Sequence, residues 1–122
     1  MKLQSFRELI VWQKALRLAI EVYKVSKNFP KEELYGLTSQ IRRAAFSIPA
    51  NIAEGYARRH LGEYLQFLSI AYGSGAELET GLIIIREIGL LPKKDFDKLM
   101  QLLDEVMRML NALMKSLKRT KH

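Results

Sequence analysis

The side chains best equipped for chemistry in this sequence fall along one line. Gln40, Arg43, Ser47, Asn51 and Glu54 are spaced three, four, four and three residues apart, which on a helix places them in a single narrow stripe. Further along, Gln66, Ser69, Gly73, Glu77 and Thr80 make a similar line. If the two lines face one another, hydrogen bonds and an ion pair from Arg43 to Glu77 or to Glu54 satisfy them. A buried polar network of this kind fixes register and partner more than it adds stability.

The same residues are poorly set up for catalysis. Carboxylates inside a helical bundle suit a di-metal centre, but that chemistry needs Glu-x-x-His motifs on two helices and two further glutamates. The only histidines are His60 and His122, and neither has a carboxylate three positions before it. Ser47 has no histidine nearby in sequence and no strand-to-helix nucleophile elbow. With no cysteine, thiolate metal sites, cysteine nucleophiles and disulfides are excluded. Gly73-Ser74-Gly75 lacks the spacing and the Lys-Ser/Thr ending of a phosphate loop and sits in mid-helix. Together with Gly81, these glycines suit either the close approach of another helix or a local bend. The reading is a non-enzyme with no cofactor and no metal.

Basic residues gather in three places. Lys14, Arg17 and Lys24 share a flank of the first helix, Arg58-Arg59-His60 follow the second, and Lys115, Lys118, Arg119, Lys121 and His122 form the tail. Lys14, Arg17, Lys24, Arg58, Arg59, Lys118 and Arg119 are the candidates for nucleic-acid contact. The competing reading is a solvated helix face and, for the Arg58-Arg59 turn, complementation of a helix C-terminal dipole. No zinc finger, RNP aromatic pair or GXXG loop is present to read bases. Any nucleic-acid binding therefore works through charge and shape and weakens with salt.

Four periodic segments must position these residues. The first helix is expected over about 6–28, with Ser5 and Glu8 at capping-box spacing and Asn28-Phe29-Pro30 as the stop. Its core stripe reads Leu9, Trp12, Leu16, Ala19, Ile20 and Tyr23. The second helix runs over about 32–57, opening on Glu32 and Glu33. Pro49 lies inside it and predicts a kink near Phe46, with a break into two shorter helices as the alternative. The third spans about 61–88, ended by Gly89 and Pro92. The fourth covers about 93–117, where Phe96, Leu99, Leu103, Val106, Leu110, Leu113 and Leu117 alternate spacings of three and four. Long helices joined by short turns pack as antiparallel neighbours. The fold class is therefore all-α: one domain over 1–122, an antiparallel up-down four-helix bundle with a basic tail at 118–122.

That bundle carries more apolar surface than it needs. On the second helix Leu37, Ile41, Ala44, Ala45, Ile48 and Ile52 make one face, while Phe46, Ala50, Ala53 and Ala57 lie nearly opposite. On the third, Tyr64, Phe67, Ala71, Leu78, Leu82 and Ile85 form one side and Leu65, Tyr72, Ala76 and Ile83 another. The first has a weaker second strip of Val11, Ala15, Leu18 and Val22. Wide burial within a monomer is one explanation. Its recurrence on three helices favours a subunit interface, with Phe46, Ala50, Ala53, Ala57, Leu65, Tyr72 and Ala76 as the contact residues.

Composition sets the remaining bounds. At 122 residues with 48% hydrophobic and 27% charged residues, the chain is one ordinary soluble domain. The net charge of +7 favours polyanions or simply keeps the protein soluble. The N-terminus has no long apolar stretch of a secretory signal, and the apolar run Gly81–Ile85 is too short for a bilayer. No membrane partner and a cytoplasmic location are the expectations.

Several phrases match a known pattern. LIVWQKA (9–15), LYGLTSQIRRAAFSIPANIAEGYAR (34–58), EYLQFLSIAYGSGAELET (63–80) and RML (108–110) resemble the bacterial four-helix-bundle family that includes proteins encoded in 23S rRNA intervening sequences. The accessory protein of diversity-generating retroelements is a more distant relative. The likeness covers nearly the whole chain, and SIPANIAEG is its most specific part. It implies an up-down bundle assembling as a homopentameric ring, with a basic surface that in the retroelement relatives binds nucleic acid and a reverse transcriptase. It implies no catalytic residue, and it makes Gln40, Arg43, Ser47, Asn51, Glu54, Gly55 and Glu77 family-motif residues of structural role. The expected function is an oligomeric scaffold whose basic surface binds RNA or DNA, structured RNA in particular. The alternative is a protein-interaction scaffold with no physiological nucleic-acid ligand.

Overall fold

A computed structural model describes residues 5–120, so Lys121 and His122 of the expected tail lie outside the described residues. Its four helices are α1 (Ile10–Ser26), α2 (Leu37–Tyr56), α3 (Leu61–Glu87) and α4 (Lys93–Arg119). They touch in the cyclic order α1, α2, α3, α4 and back to α1. Neighbours run antiparallel: Arg42 near the start of α2 meets Ser26 at the end of α1, and Lys98 early in α4 meets Glu21 late in α1. The protein is an all-α four-helix bundle.

Helix ends follow local chemistry. Ser5 does cap, its hydroxyl accepting from the Arg7 amide at 3.1 Å, but it caps a single 3-10 turn, Phe6–Glu8, and α1 starts only at Ile10. Leu9 between them is extended, a corner held by Gln13 donating to the Arg7 carbonyl at 2.8 Å and by the Phe6 ring edge-on to Trp12. Glu32 and Glu33 likewise belong to a separate 3-10 turn, Lys31–Glu33, and α2 begins after Gly36. Glycine is a poor helix residue, and it interrupts the run. Within α2 the helix passes unbroken through Pro49, so the alternative of two shorter helices is not adopted. At the end of α3, Gly89 takes a φ of 84°, and the Leu90 amide bonds back to the Ile85 carbonyl at 3.1 Å. That is the left-handed glycine cap, and Pro92 starts the next helix.

The core is continuous along the bundle. On α4, Phe96, Leu99, Leu103, Val106 and Leu110 are buried and Leu113 and Leu117 pack beside them, as the alternating spacing predicts. On α2, Ile41, Ala44, Ala45, Ile48 and Ile52 face inward. Fully buried side chains such as Leu18, Ile48, Leu82 and Leu103 each contribute about 1.5–3 kcal/mol.

The expected core stripe of α1 is wrong. Of its six members only Ala19 is buried; Leu9 and Trp12 pack partly, while Leu16, Ile20 and Tyr23 are exposed. The weaker strip, Val11, Ala15, Leu18 and Val22, is the one turned inward. With Ala15 and two valines beside Leu18, the inward strip is the slimmer one and lets α1 lie close on its neighbours, which leaves the strip carrying Trp12 and Tyr23 further out.

Close approach also explains two glycines of α3. A methyl group at Gly75 would collide with Met107 of α4, and one at Gly81 would come within 2.6 Å of Ile41 of α2. Gly73 is different, since nothing lies within 4 Å of such a group.

Candidate nucleic-acid interface

The polar line of α2 meets α3 through hydroxyls rather than charges. Ser47 Oγ lies 2.7 Å from Ser74 Oγ, and Asn51 Nδ2 donates to both the Ser47 carbonyl and its hydroxyl at 2.8 Å. Ser74, buried to 5% exposure, was not in the expected α3 line. Its signal was available: it lies three residues before Glu77 and opposite Ser47 in an antiparallel pair.

The charged members of the line sit at the surface. Glu54 pairs with Arg58 at 3.0 Å, one turn along its own helix, in place of the expected Arg43. Arg43 and Glu77 share the wall of a groove of about 420 Å³ between α2 and α3, floored by Leu37, Ile41, Ala44 and Gly81. Neither makes an ion pair among the described residues, so the expected Arg43 to Glu77 bridge is not formed within one chain. Gln40 is exposed at the same groove.

The second apolar faces remain open in the single chain. Phe46 is 62% exposed and Tyr72 39%, Ala57 and Ala76 are exposed, and Ala50, Ala53 and Leu65 are half-buried. Ile70, Ile83 and Ile84 add to the uncovered surface of α3.

The basic candidates divide into paired and unpaired groups. Lys14 meets Glu105 of α4 at 3.1 Å, Lys24 meets Glu21 at 3.7 Å, and Arg58 meets Glu54 while lying 4.8 Å from the centre of the Phe67 ring. Glu21 also accepts from Lys98 at 2.9 Å; that bond, with the charges of Lys98, Lys24 and Arg17, outweighs its partial burial and holds its carboxyl below the usual carboxylate range. Arg17, Arg59, Lys118 and Arg119 make no ion pair among the described residues. Antiparallel packing brings Arg58, Arg59, Lys118 and Arg119 to one end of the bundle and leaves Lys24 at the other. Two of the three sequence clusters thus share one end.

Among the described residues, the middle of the polar line bonds within itself. Ser47 bonds to Ser74 and Asn51, and among the described residues it makes no hydrogen bond to a histidine that could take its proton. No group of three or more His, Asp or Glu among the described residues could hold a metal ion. Among those residues, no helix is long and apolar enough to cross a membrane.

Fold and surface together define a small four-helix bundle whose internal polar groups tie helix to helix. A family model described as "23S rRNA-intervening sequence protein" matches residues 7–112, and the chain belongs to that family. Among solved structures it is similar to a protein with unknown function from the S23 ribosomal protein family of Bacteroides thetaiotaomicron VPI-5482. The TM-score is 0.79 and the identity 23%, over 87% of this chain and 99% of that one. No curated protein matches the chain.

Proposed function

We propose that the chain is a non-enzymatic, cytoplasmic, homo-oligomeric scaffold, a pentamer by resemblance, whose basic surface binds structured RNA through charge and shape. The observation that carries the self-assembly is the exposed apolar surface of α2 and α3, led by Phe46 at 62%. An apolar face this extensive on a soluble chain favours burial against another copy. The nucleic-acid part is supported by the net charge of +7, by Arg59, Lys118 and Arg119 at one bundle end with no ion pair among the described residues, and by a family description that names an rRNA intervening sequence. Repeating a modest patch around a ring multiplies its affinity by avidity.

The test is binding to a structured RNA across a salt series. Affinity should fall by orders of magnitude between roughly 50 and 200 mM salt, and removing the charges of Arg58, Arg59, Lys118 and Arg119 together should flatten the slope. Absence of binding at low salt, or binding indifferent to those substitutions, contradicts the reading. A single protein partner retained after nuclease treatment, a reverse transcriptase being the narrow case, would favour the alternative of a protein-interaction scaffold.

A further inference from the structure

The corner where α1 passes into α2 combines aromatic rings with cations that form no ion pair among the described residues. Tyr35 is 93% exposed, more than any other large apolar or aromatic side chain described. It shares an open groove of about 430 Å³ with Tyr23, Arg42 and Arg43. The Arg42 guanidinium is fixed by neutral groups: its Nε donates to Ser26 Oγ at 2.7 Å, and it lies 5.0 Å from the centre of the Tyr23 ring. An adjoining hollow of about 200 Å³ shares Leu34 and Arg42 with the groove and is lined by Lys27 and Lys31. Thr38 stands in its wall, 2% exposed, its hydroxyl without a hydrogen-bond partner among the described residues.

None of Lys27, Lys31, Arg42 and Arg43 forms an ion pair among the described residues. The nearby carboxylates are Glu32 and Glu33 of the Lys31–Glu33 turn, Glu77, which shares the α2–α3 groove with Arg43, and Glu21, which Lys98 and Lys24 already engage; they number fewer than the four cations once Glu21 is set aside. The local balance is positive. A tyrosine face open to water beside a fixed guanidinium suits stacking of a nucleobase, with the phosphates drawn to the neighbouring cations. A base inside a duplex has both faces covered, so only an unpaired one fits. Covering the same corner with a second copy of this chain would be costly unless that copy brought carboxylates to these cations.

We propose that this corner binds an unpaired nucleotide of a single-stranded segment, its base on Tyr35 and its phosphates against Arg42, Arg43 and the adjoining lysines. The inference rests on the nucleic-acid reading above and adds the strand state. It also places the contact at the bundle end opposite Arg58 and Arg59.

Binding of a labelled oligouridylate and of a blunt RNA duplex of equal length, measured by fluorescence anisotropy on the full chain, tests it. Tyr35→Ser should weaken oligouridylate binding about tenfold and leave duplex binding unchanged, while Tyr35→Phe, which keeps the ring, should match the wild type. Equal affinities for wild type and Tyr35→Ser overturn the inference and leave the broader reading standing. A parallel loss on both RNAs, or a change in the mass of Tyr35→Ser by light scattering, also overturns it, the latter by making Tyr35 a subunit contact. A wild type that binds neither RNA at low salt removes the nucleic-acid reading and this inference together.

Discussion

The hydroxyls of Ser47 and Ser74 meet at 2.7 Å across the α2–α3 contact, and the Asn51 amide donates to the first of them. In an antiparallel pair of helices such a contact is made in only one register. It ties the SIPANIAEG segment of α2 to the glycine-flanked turn of α3, where Gly75 and Gly81 allow α4 and α2 to come close.

Replacing Ser74 with alanine should lower stability by about 1 kcal/mol, because Ser47 loses its cross-helix partner in a part-buried setting. Ser47→Ala should cost a similar amount, and the double variant less than the sum of the two. Urea midpoints of the three variants measure this; strictly additive losses would show that the hydroxyls are not coupled.

Glycine replacements should separate tight contacts from open ones. An alanine methyl at Gly55 would lie 2.8 Å from Phe67 Cβ and 3.3 Å from the Tyr64 carbonyl oxygen, both tied to the α3 backbone. Gly55→Ala should therefore destabilise by about 1–3 kcal/mol despite its better helix propensity. Gly73→Ala, with open space around it, should stabilise by about 1 kcal/mol. Thermal unfolding followed by circular dichroism reads both, and absence of the gain at Gly73 would place another molecule against it.

Burial pushes the Tyr64 phenol up to about 12, and the charge of nearby Tyr56, whose ring centre lies 6.0 Å away, adds to the effect. The unfolded chain gives up this proton near pH 10, whereas the folded one holds it to about 12. Its contribution is therefore complete below pH 10 and is lost as pH rises from 10 to 12. Phenolate absorbance should show a late phase near pH 12 from Tyr64. Tyr64→Phe should remove that phase and flatten the alkaline fall of the urea midpoint; an unchanged alkaline limb would contradict the assignment.

Charge placed on the second face of α2 should act on assembly alone. Phe46 is largely exposed and Ala53 half-buried, so Phe46→Glu and Ala53→Arg should reduce the mass in solution and leave helicity intact. Loss of helicity in Ala53→Arg would instead put that residue in the core.

Much of this was legible in the chain because periodicity and punctuation act locally. The α4 seam, the inward face of α2 and the Gly89 stop all follow from spacing and backbone preference. The failures have a common origin in packing. Hydrophobicity has no direction, so α1, with apolar strips on two sides, did not reveal which faced inward; closeness of approach chose the one with Ala15 and Val22. The pairing of Glu54 with Arg58 rather than Arg43 depended on which neighbours a folded helix offers. Tyr35 and Arg42 lie inside the family phrase LYGLTSQIRR but spell no nucleic-acid motif, and they come beside Tyr23 only when α1 and α2 fold together.

The most direct test of the account is the mass of the wild-type chain by sedimentation equilibrium. A whole multiple of the 14.1 kDa chain mass, five on the family resemblance, is the predicted result. A single species at 14.1 kDa across the accessible concentration range would contradict it and would leave Phe46 and Tyr72 as exposed surface of a monomer.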